Sequence, residues 1–277
     1  MSLRALLISI TALAVLPAAA AADTPVAVAP GAVNVAAGGG YVVWAQPEED
    51  TGWQLVVRAP DGTVTRPAIK DFSGPPQVSI GSDRFAIDGR RLLAVYGRDD
   101  GDLYAYDLRA GTESHVRGLN SRRYRETAPS IQNGNWAFVR TGGPRSGLYA
   151  ASAHRGPHRI ATDQPARTQN NGSRVAYATG SAVVVRHLFA GGGVLRFATS
   201  ERARSVVLTR YKAGWLLSGG RVFQTTRIGG SGGPFHPTVQ QAGRPLTPSA
   251  QSLANERDRI ALFTDAAGVS GIDPPLF

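Results

Sequence analysis

The chain has 277 residues, 30 Lys and Arg against 20 Asp and Glu, and a formal net charge of +10. It contains no Cys, which excludes disulfide stapling and thiol chemistry and leaves burial and hydrogen bonding to hold the fold. Only Lys70 and Lys212 are lysines and 28 residues are Arg, so part of the charge reflects Arg-rich coding; it permits a polyanionic partner without demanding one.

The first residues read as an export signal. Arg4 gives a basic start, Ala5 to Leu16 is apolar, Pro17 breaks the run, and Ala20-Ala21-Ala22 offers small residues to a signal peptidase. The apolar run is too short for a permanent bilayer span, and no Cys follows it to carry a lipid. The expectation is a signal peptide over residues 1–22, cleavage before Asp23, and a secreted or periplasmic domain over residues 23–277 with no transmembrane segment.

Six short apolar runs then recur: Tyr41 to Trp44, Leu92 to Tyr96, Trp136 to Val139, Val175 to Ala178, Trp215 to Leu217 and Ile260 to Phe263. Each is too short for an ordinary helix and is apolar on successive positions, so both faces of the strand it forms are covered. A two-layer sandwich would show alternation instead. The anchors Trp44, Tyr96, Phe138, Tyr177, Leu217 and Phe263 are spaced by 52, 42, 39, 40 and 46 residues, near the period of a four-stranded propeller blade. The predicted fold is therefore all-β, one six-bladed propeller of four-stranded blades.

Turn signals precede most runs: Gly38-Gly39-Gly40, Asp88-Gly89, Asn133-Gly134, Asn171-Gly172 and Ala213-Gly214 mark expected turns between first and second strands. Third strands are expected to start near Leu55, Leu103, Leu148, Val183, Val222 and Val269. The units are clearest in GDLYAYDLRAGTE (Gly101 to Glu113), SGLYAASAHRGPHRIAT (Ser146 to Thr162) and WQLVVRAPDGTVTRP (Trp53 to Pro67). The last unit lacks a fourth strand, and Pro25 to Ala29 has no partner of its own. That N-terminal segment is expected to pair into the last blade and close the ring, which removes exposed sheet edges. Thr199 to Gly214 and Ser249 to Phe263 also carry helix-like spacing, but the repeat register needs strands there, with a short helix as the alternative.

The export signal, the six units and the cores DLYAYDLRAGTE and GLYAASAHRG resemble the secreted TolB-like and WD40-like six-bladed β-propeller proteins of bacteria. The resemblance covers nearly all of residues 23–277 and implies a six-bladed propeller fold. The Pro-x-Trp-Ser-Pro-Asp-Gly-like turn of the more regular repeats is intact in no unit; Ala128-Pro129-Ser130 with Asn133-Gly134 comes nearest.

Motifs that would carry chemistry are weak. Gly229-Gly230-Ser231-Gly232-Gly233 matches a serine-hydrolase pattern in letters, but glycines and Pro234 flank it where a helix should start, which fits a flexible loop. His154 and His158 would share a metal only on a helix, and Arg155-Gly156-Pro157 between them reads as a hairpin turn; His115, His187 and His236 are scattered. The clusters Glu48-Glu49-Asp50 and Asp99-Asp100 with Asp102 lack calcium-loop spacing and read as solvated loop charge. Asn171-Gly172-Ser173 has the form of a glycosylation sequon and is read as a turn.

The most distinctive surface feature is the basic loop Arg117 to Arg125, taken as the longest connection between blades. Arg122, Arg123 and Arg125 offer planar forks for carboxylate or phosphate, Tyr124 offers stacking area, and Arg202 and Arg204 fall in the equivalent connection two blades later. These six residues are the predicted ligand-binding set, against the alternative that Arg-rich coding simply places Arg in loops. No catalytic residue, metal site, cofactor or specific nucleic-acid motif is predicted. The functional reading is an exported, monomeric, non-catalytic scaffold that binds a protein or an acidic envelope polymer through one loop face. The alternatives are a propeller-type hydrolase or lyase acting on a glycan, and a structural repeat without a small ligand. An enzyme would need ionisable groups converging at the channel mouth; a binding module needs only a contiguous loop surface.

Overall fold

A computed structural model describes residues 23–49, 52–83, 91–189, 191, 193–228, 237–256 and 259–276. Strand β1 (Thr24–Val28) comes first and belongs to the last blade. The first blade is β2 (Val33–Gly38), β3 (Tyr41–Glu48), β4 (Gly52–Arg58) and β5 (Val64–Thr65). The second is β6 (Val78–Asp83), β7 (Arg91–Gly97), β8 (Leu103–Asp107) and β9 (Thr112–His115). The third is β10 (Arg125–Gln132), β11 (Asn135–Thr141), β12 (Gly147–Ser152) and β13 (Arg155–Ala161). The fourth is β14 (Thr168–Asn170), β15 (Arg174–Ala178), β16 (Ala182–His187) and β17 (Leu195–Ala198). The fifth is β18 (Ser205–Leu208), β19 (Ala213–Leu216), β20 (Val222–Thr225) and β21 (Val239–Gln241). The sixth is β22 (Ser252–Glu256), β23 (Arg259–Thr264), β24 (Gly268–Leu276) and, outermost, β1.

Every sheet is an antiparallel meander, and the first strands touch in order from β2 to β22, which returns to β2. The result is a closed six-bladed β-propeller. Its only helical element among the described residues is a 3-10 turn at Ser218–Gly220, and both ambiguous segments consist, in their described residues, of a connection followed by strands, β18 and β19 in one and β22 and β23 in the other.

The six apolar runs supply the second strands. Trp44, Tyr96, Phe138, Tyr177, Leu217 and Phe263 are all at most 3% exposed, buried between neighbouring sheets. Fully burying such a side chain is worth ~1.5–3 kcal/mol, so this one position in each blade is a principal source of the packing. The expected ring closure is present: Thr24 pairs with Gly271, Pro25 with Ser270, Ala27 with Val269 and Val28 with Gly268. Val26 and Ala27 pack against a core that includes Trp44, Leu262 and Val269.

Some turns differ from expectation. Gly39-Gly40, Asn133-Gly134 and Asn171-Gly172 stand between first and second strands, and Asp88-Gly89 lies outside the described residues. Ala213-Gly214, however, opens β19, because Leu208 pairs with Ala213. The turn is Thr209 to Lys212, where the Thr209 hydroxyl accepts from the amides of Tyr211 (3.3 Å) and Lys212 (3.0 Å). A Thr side chain there does what Asn or Gly does elsewhere. The His154 hairpin turns one step earlier than read, since Ser152 pairs with Arg155, and Arg155-Gly156-Pro157 lies in β13. This is an outer strand, where proline's missing N–H is tolerated.

Candidate functional site

Because successive strands are antiparallel, the connections between blades emerge at the same end of the ring as the turns between second and third strands. Contacts across that face confirm it. The Ser73 amide and hydroxyl both donate to the Asp99 carboxylate at 2.8 Å, which holds that carboxyl below its usual range. Arg125 donates to the Asp99 carbonyl at 2.7 Å.

The basic loop occupies this face over 116–124 and is shorter than the connections 66–77 and 242–251. It is fastened from beneath. Glu126 is fully buried, and its carboxylate accepts from Arg140 Nε at 2.9 Å and from the Ser121 amide at 3.3 Å. Arg140 also donates to the Leu119 carbonyl at 2.7 Å and lies against the rings of Tyr149, Phe138 and Tyr124, with centroids at 4.7, 5.4 and 5.9 Å. Burial pushes the Glu126 carboxyl above its ordinary range, against the opposing pull of the Ser121 amide and Arg140. Tyr124 is half-buried over Gly143, where a Cβ would stand 2.6 Å from the ring. Tyr124 therefore packs as a buttress, while Arg122, Arg123 and Arg125 are exposed.

Arg98 forms a similar knot in the second blade. Its Nη2 and Nε donate to Glu113 Oε1 at 2.5 and 3.0 Å, and its guanidinium lies 5.0 Å from the Phe72 ring centroid and 5.1 Å from that of Tyr104. The Tyr96 hydroxyl donates to the same carboxylate oxygen at 2.6 Å, and burial raises that phenol well above its usual range.

The channel shows what sequence reading missed. At its narrow part, side chains from all six blades meet, among them Asn34, Gln77, Ala128, Arg167, Ser205 and Leu253. Asn34 sits at a bulge in β2 with φ 58°, and Ala128 at a bulge in β10 with φ 48°. A left-handed residue at a bulge re-aims its side chain, and Asn tolerates that conformation better than most. The Asn34 amide nitrogen is tied to the carbonyls of Pro75 (3.3 Å) and Pro76 (2.9 Å), leaving its Oδ1 facing the channel. Arg167, on the connection into the fourth blade, reaches across to donate to that oxygen on the first blade. Desolvation by the surrounding strands pushes its pKa down to about 10.

Above Arg167 on the inter-blade face is a cavity of about 320 Å³, lined by Gln77, Arg167, Arg202, Arg204, Ser205 and the alkyl groups of Ala166, Ala178, Ala203 and Val206. The structure thus brings Arg202 and Arg204 together with a third arginine. Both are exposed, and Arg204 also donates to the Ala250 carbonyl at 3.2 Å. Arg122, Arg123, Tyr124 and Arg125 do not line this cavity. One signal did mark the missed residues: Gln77 and Arg167, like the predicted Arg204, each immediately precede the first strand of a blade. Aligning the repeats on first strands rather than second strands would have grouped them. The opposite mouth is a bowl of about 590 Å³, lined chiefly by amide and hydroxyl side chains such as Gln132, Asn133, Gln169, Asn171 and Thr209.

The other candidates resolve simply. No group of three His, Cys, Asp or Glu residues that would hold a metal exists among the described residues. His115 is bonded to Asp102 at 2.8 Å, and His158 Nε2 lies 3.2 Å from the Leu188 carbonyl. Gly229 to Gly233, His236 and Asp50 lie outside the described residues. The Asn171 carboxamide oxygen accepts from the amides of Ser173 (3.2 Å) and Arg174 (2.9 Å), the expected turn. No described helix is long and apolar enough to cross a membrane.

No family model matches the chain, and no curated protein matches it. Among solved structures, a chain of a nidogen/laminin complex is similar with a TM-score of 0.54 at 12% identity, covering 72% of this chain and 77% of that one. The computationally designed Ika8 protein has a TM-score of 0.49 at 13% identity, covering 86% and 70% of the two chains. The Cps50 (Swd1) β-propeller domain of Myceliophteria thermophila also reaches 0.49, at 9% identity, covering 87% and 83%. At such identities the first likeness concerns the fold alone: the class is the β-propeller.

Proposed function

We propose that the protein is an exported, monomeric, non-catalytic propeller that holds an acidic partner, a protein or an envelope polymer, against its inter-blade face. The observation that carries this reading is the set of exposed arginines on that one face: Arg122, Arg123, Arg125, Arg202 and Arg204. The buried Glu126–Arg140 pair fastens the loop that bears the first three, so less ordering is required on binding than for a free loop. Among the described residues, the lining of the channel mouth presents guanidinium groups and no carboxylate or imidazole, which supports binding over proton transfer.

The test is capture of envelope material by the wild type and by an Arg122→Ser, Arg123→Ser, Arg125→Ser variant at low and high salt. Exposed charges are screened beyond about 10 Å at 0.1 M salt, so wild-type capture should fall steeply as salt rises and the variant should capture little at any salt. Equal capture by both proteins in all conditions would refute the reading.

A further inference from the structure

We propose that the inter-blade mouth of the channel is a receptor for a single carboxylate on a short alkyl stem, taken by the Arg167 guanidinium. The inference rests on the preceding reading only for one source of that carboxylate, an acidic side chain of the partner; the other source is a free short-chain acid.

The first argument is a comparison among arginines. Arg98 and Arg140, both little exposed, each have a carboxylate of their own, Glu113 and Glu126. Arg167 crosses the ring from the fourth blade to the first, and its hydrogen-bond partner is the neutral Asn34 Oδ1. A guanidinium carries five N–H donors, and one amide oxygen occupies a minority of them. No carboxylate pairs with Arg167 among the described residues. Arg167 is half-buried, and holding a partly desolvated cation without a counter-charge has a cost that an arriving anion removes. The lowered pKa has the same origin, loss of water around the charge, and still leaves the group protonated at neutral pH.

The second argument is the shape and chemistry of the space above it. The cavity of about 320 Å³ opens toward the face and shares Gln77 and Ser205 with Arg167 on its lining, with Ala178, Ala203 and Val206 among its walls. A carboxylate presents two oxygens to a guanidinium fork and turns its methylenes toward such alkyl walls. A phosphate in the same place would press further anionic oxygens against them. Arg202 and Arg204 on the lining add positive potential that draws anions in.

The experiment is thermal denaturation of the full chain in sodium butyrate or sodium phosphate, at ionic strength held constant with sodium chloride. For the wild type, butyrate at ten times its Kd should raise the midpoint by about 3–6 °C. Arg167→Met should lose that shift while melting no lower than the wild type without ligand, because it removes an uncompensated charge and keeps most of the side-chain volume. If Arg167→Met does not fold, Arg167→Lys, which keeps the charge without the fork, should weaken butyrate binding about tenfold. No butyrate shift in the wild type, a shift retained in Arg167→Met, or equal affinity in Arg167→Lys would overturn the receptor. A larger shift with phosphate than with butyrate would overturn the carboxylate assignment. The Arg122, Arg123, Arg125→Ser variant should keep the butyrate shift, so failed capture of envelope material and failed butyrate binding are separately readable. Saturating butyrate that displaces captured material identifies the partner's side chain as the source; capture indifferent to butyrate identifies a free acid.

Discussion

Replacing Arg140 by Met would leave Glu126 as a fully buried carboxylate whose remaining hydrogen bond comes from the Ser121 amide at 3.3 Å. Met keeps an unbranched side chain against Phe138, Tyr149 and Tyr124, so most of the packing survives and the main loss is the counter-charge. Breaking a buried pair from one side costs about 3–5 kcal/mol. In a domain of this size each kcal/mol moves the midpoint by about 2–4 °C, which gives a fall of roughly 6–20 °C at neutral pH. The deficit has a signed pH dependence. The folded Glu126 carboxyl already titrates above its ordinary value because of burial, and removing Arg140 raises it further. A folded-state pKa above the unfolded one means that the native state binds more protons across the interval between them, so stability rises as pH falls through it. The deficit of Arg140→Met should be largest at neutral pH and shrink on acidification toward the unfolded Glu pKa of about 4.3. Adding Glu126→Gln to Arg140→Met should restore much of the loss and abolish its pH dependence. The assay is thermal denaturation of the wild type, both single variants and the double variant from pH 4.5 to 7.5. A deficit that is flat or grows on acidification would refute the reasoning.

Excising Thr24–Val28 should lower stability by about 2–4 kcal/mol, because it strips the β24 edge of its partner and removes the Val26 and Ala27 contacts; an unchanged melting midpoint would mean that ring closure contributes nothing. Gly81→Ala should destabilise by ~1–3 kcal/mol or more, since its Cβ would stand 1.8 Å from the Ile131 carbonyl oxygen of the next blade and could be relieved only by backbone movement. A chemical-denaturation midpoint within error of the wild type would show that the two inner strands are not held so closely.

The amino-acid sequence alone determined the repeating part of this protein. Strands such as Val175 to Ala178, apolar at consecutive positions, declare that both faces are covered, because side chains alternate sides at every residue. Six such runs at blade spacing fixed the number of sheets, and the unpartnered segment around Val26 implied the closure that β1 makes with β24. Local chemistry misled where a signal is shared: Ala213-Gly214 looks like a turn because it contains Gly, but the Thr209 hydroxyl forms the turn just before it, and Arg155-Gly156-Pro157 reads as a turn but lies in an outer strand. The site was decided by tertiary structure. Within the run Pro165-Ala166-Arg167-Thr168 the only mark on Arg167 is its place just before a first strand, which shows its register in the repeat but not its surroundings. Its environment arises from closing the ring, which sets it opposite Asn34 across 133 residues of chain. The same holds for Arg98 and Arg140, whose carboxylates come from different strands of their blades. Periodicity is written in neighbouring residues and survives in the sequence, whereas the pairing and desolvation of a charge depend on which distant strands surround it.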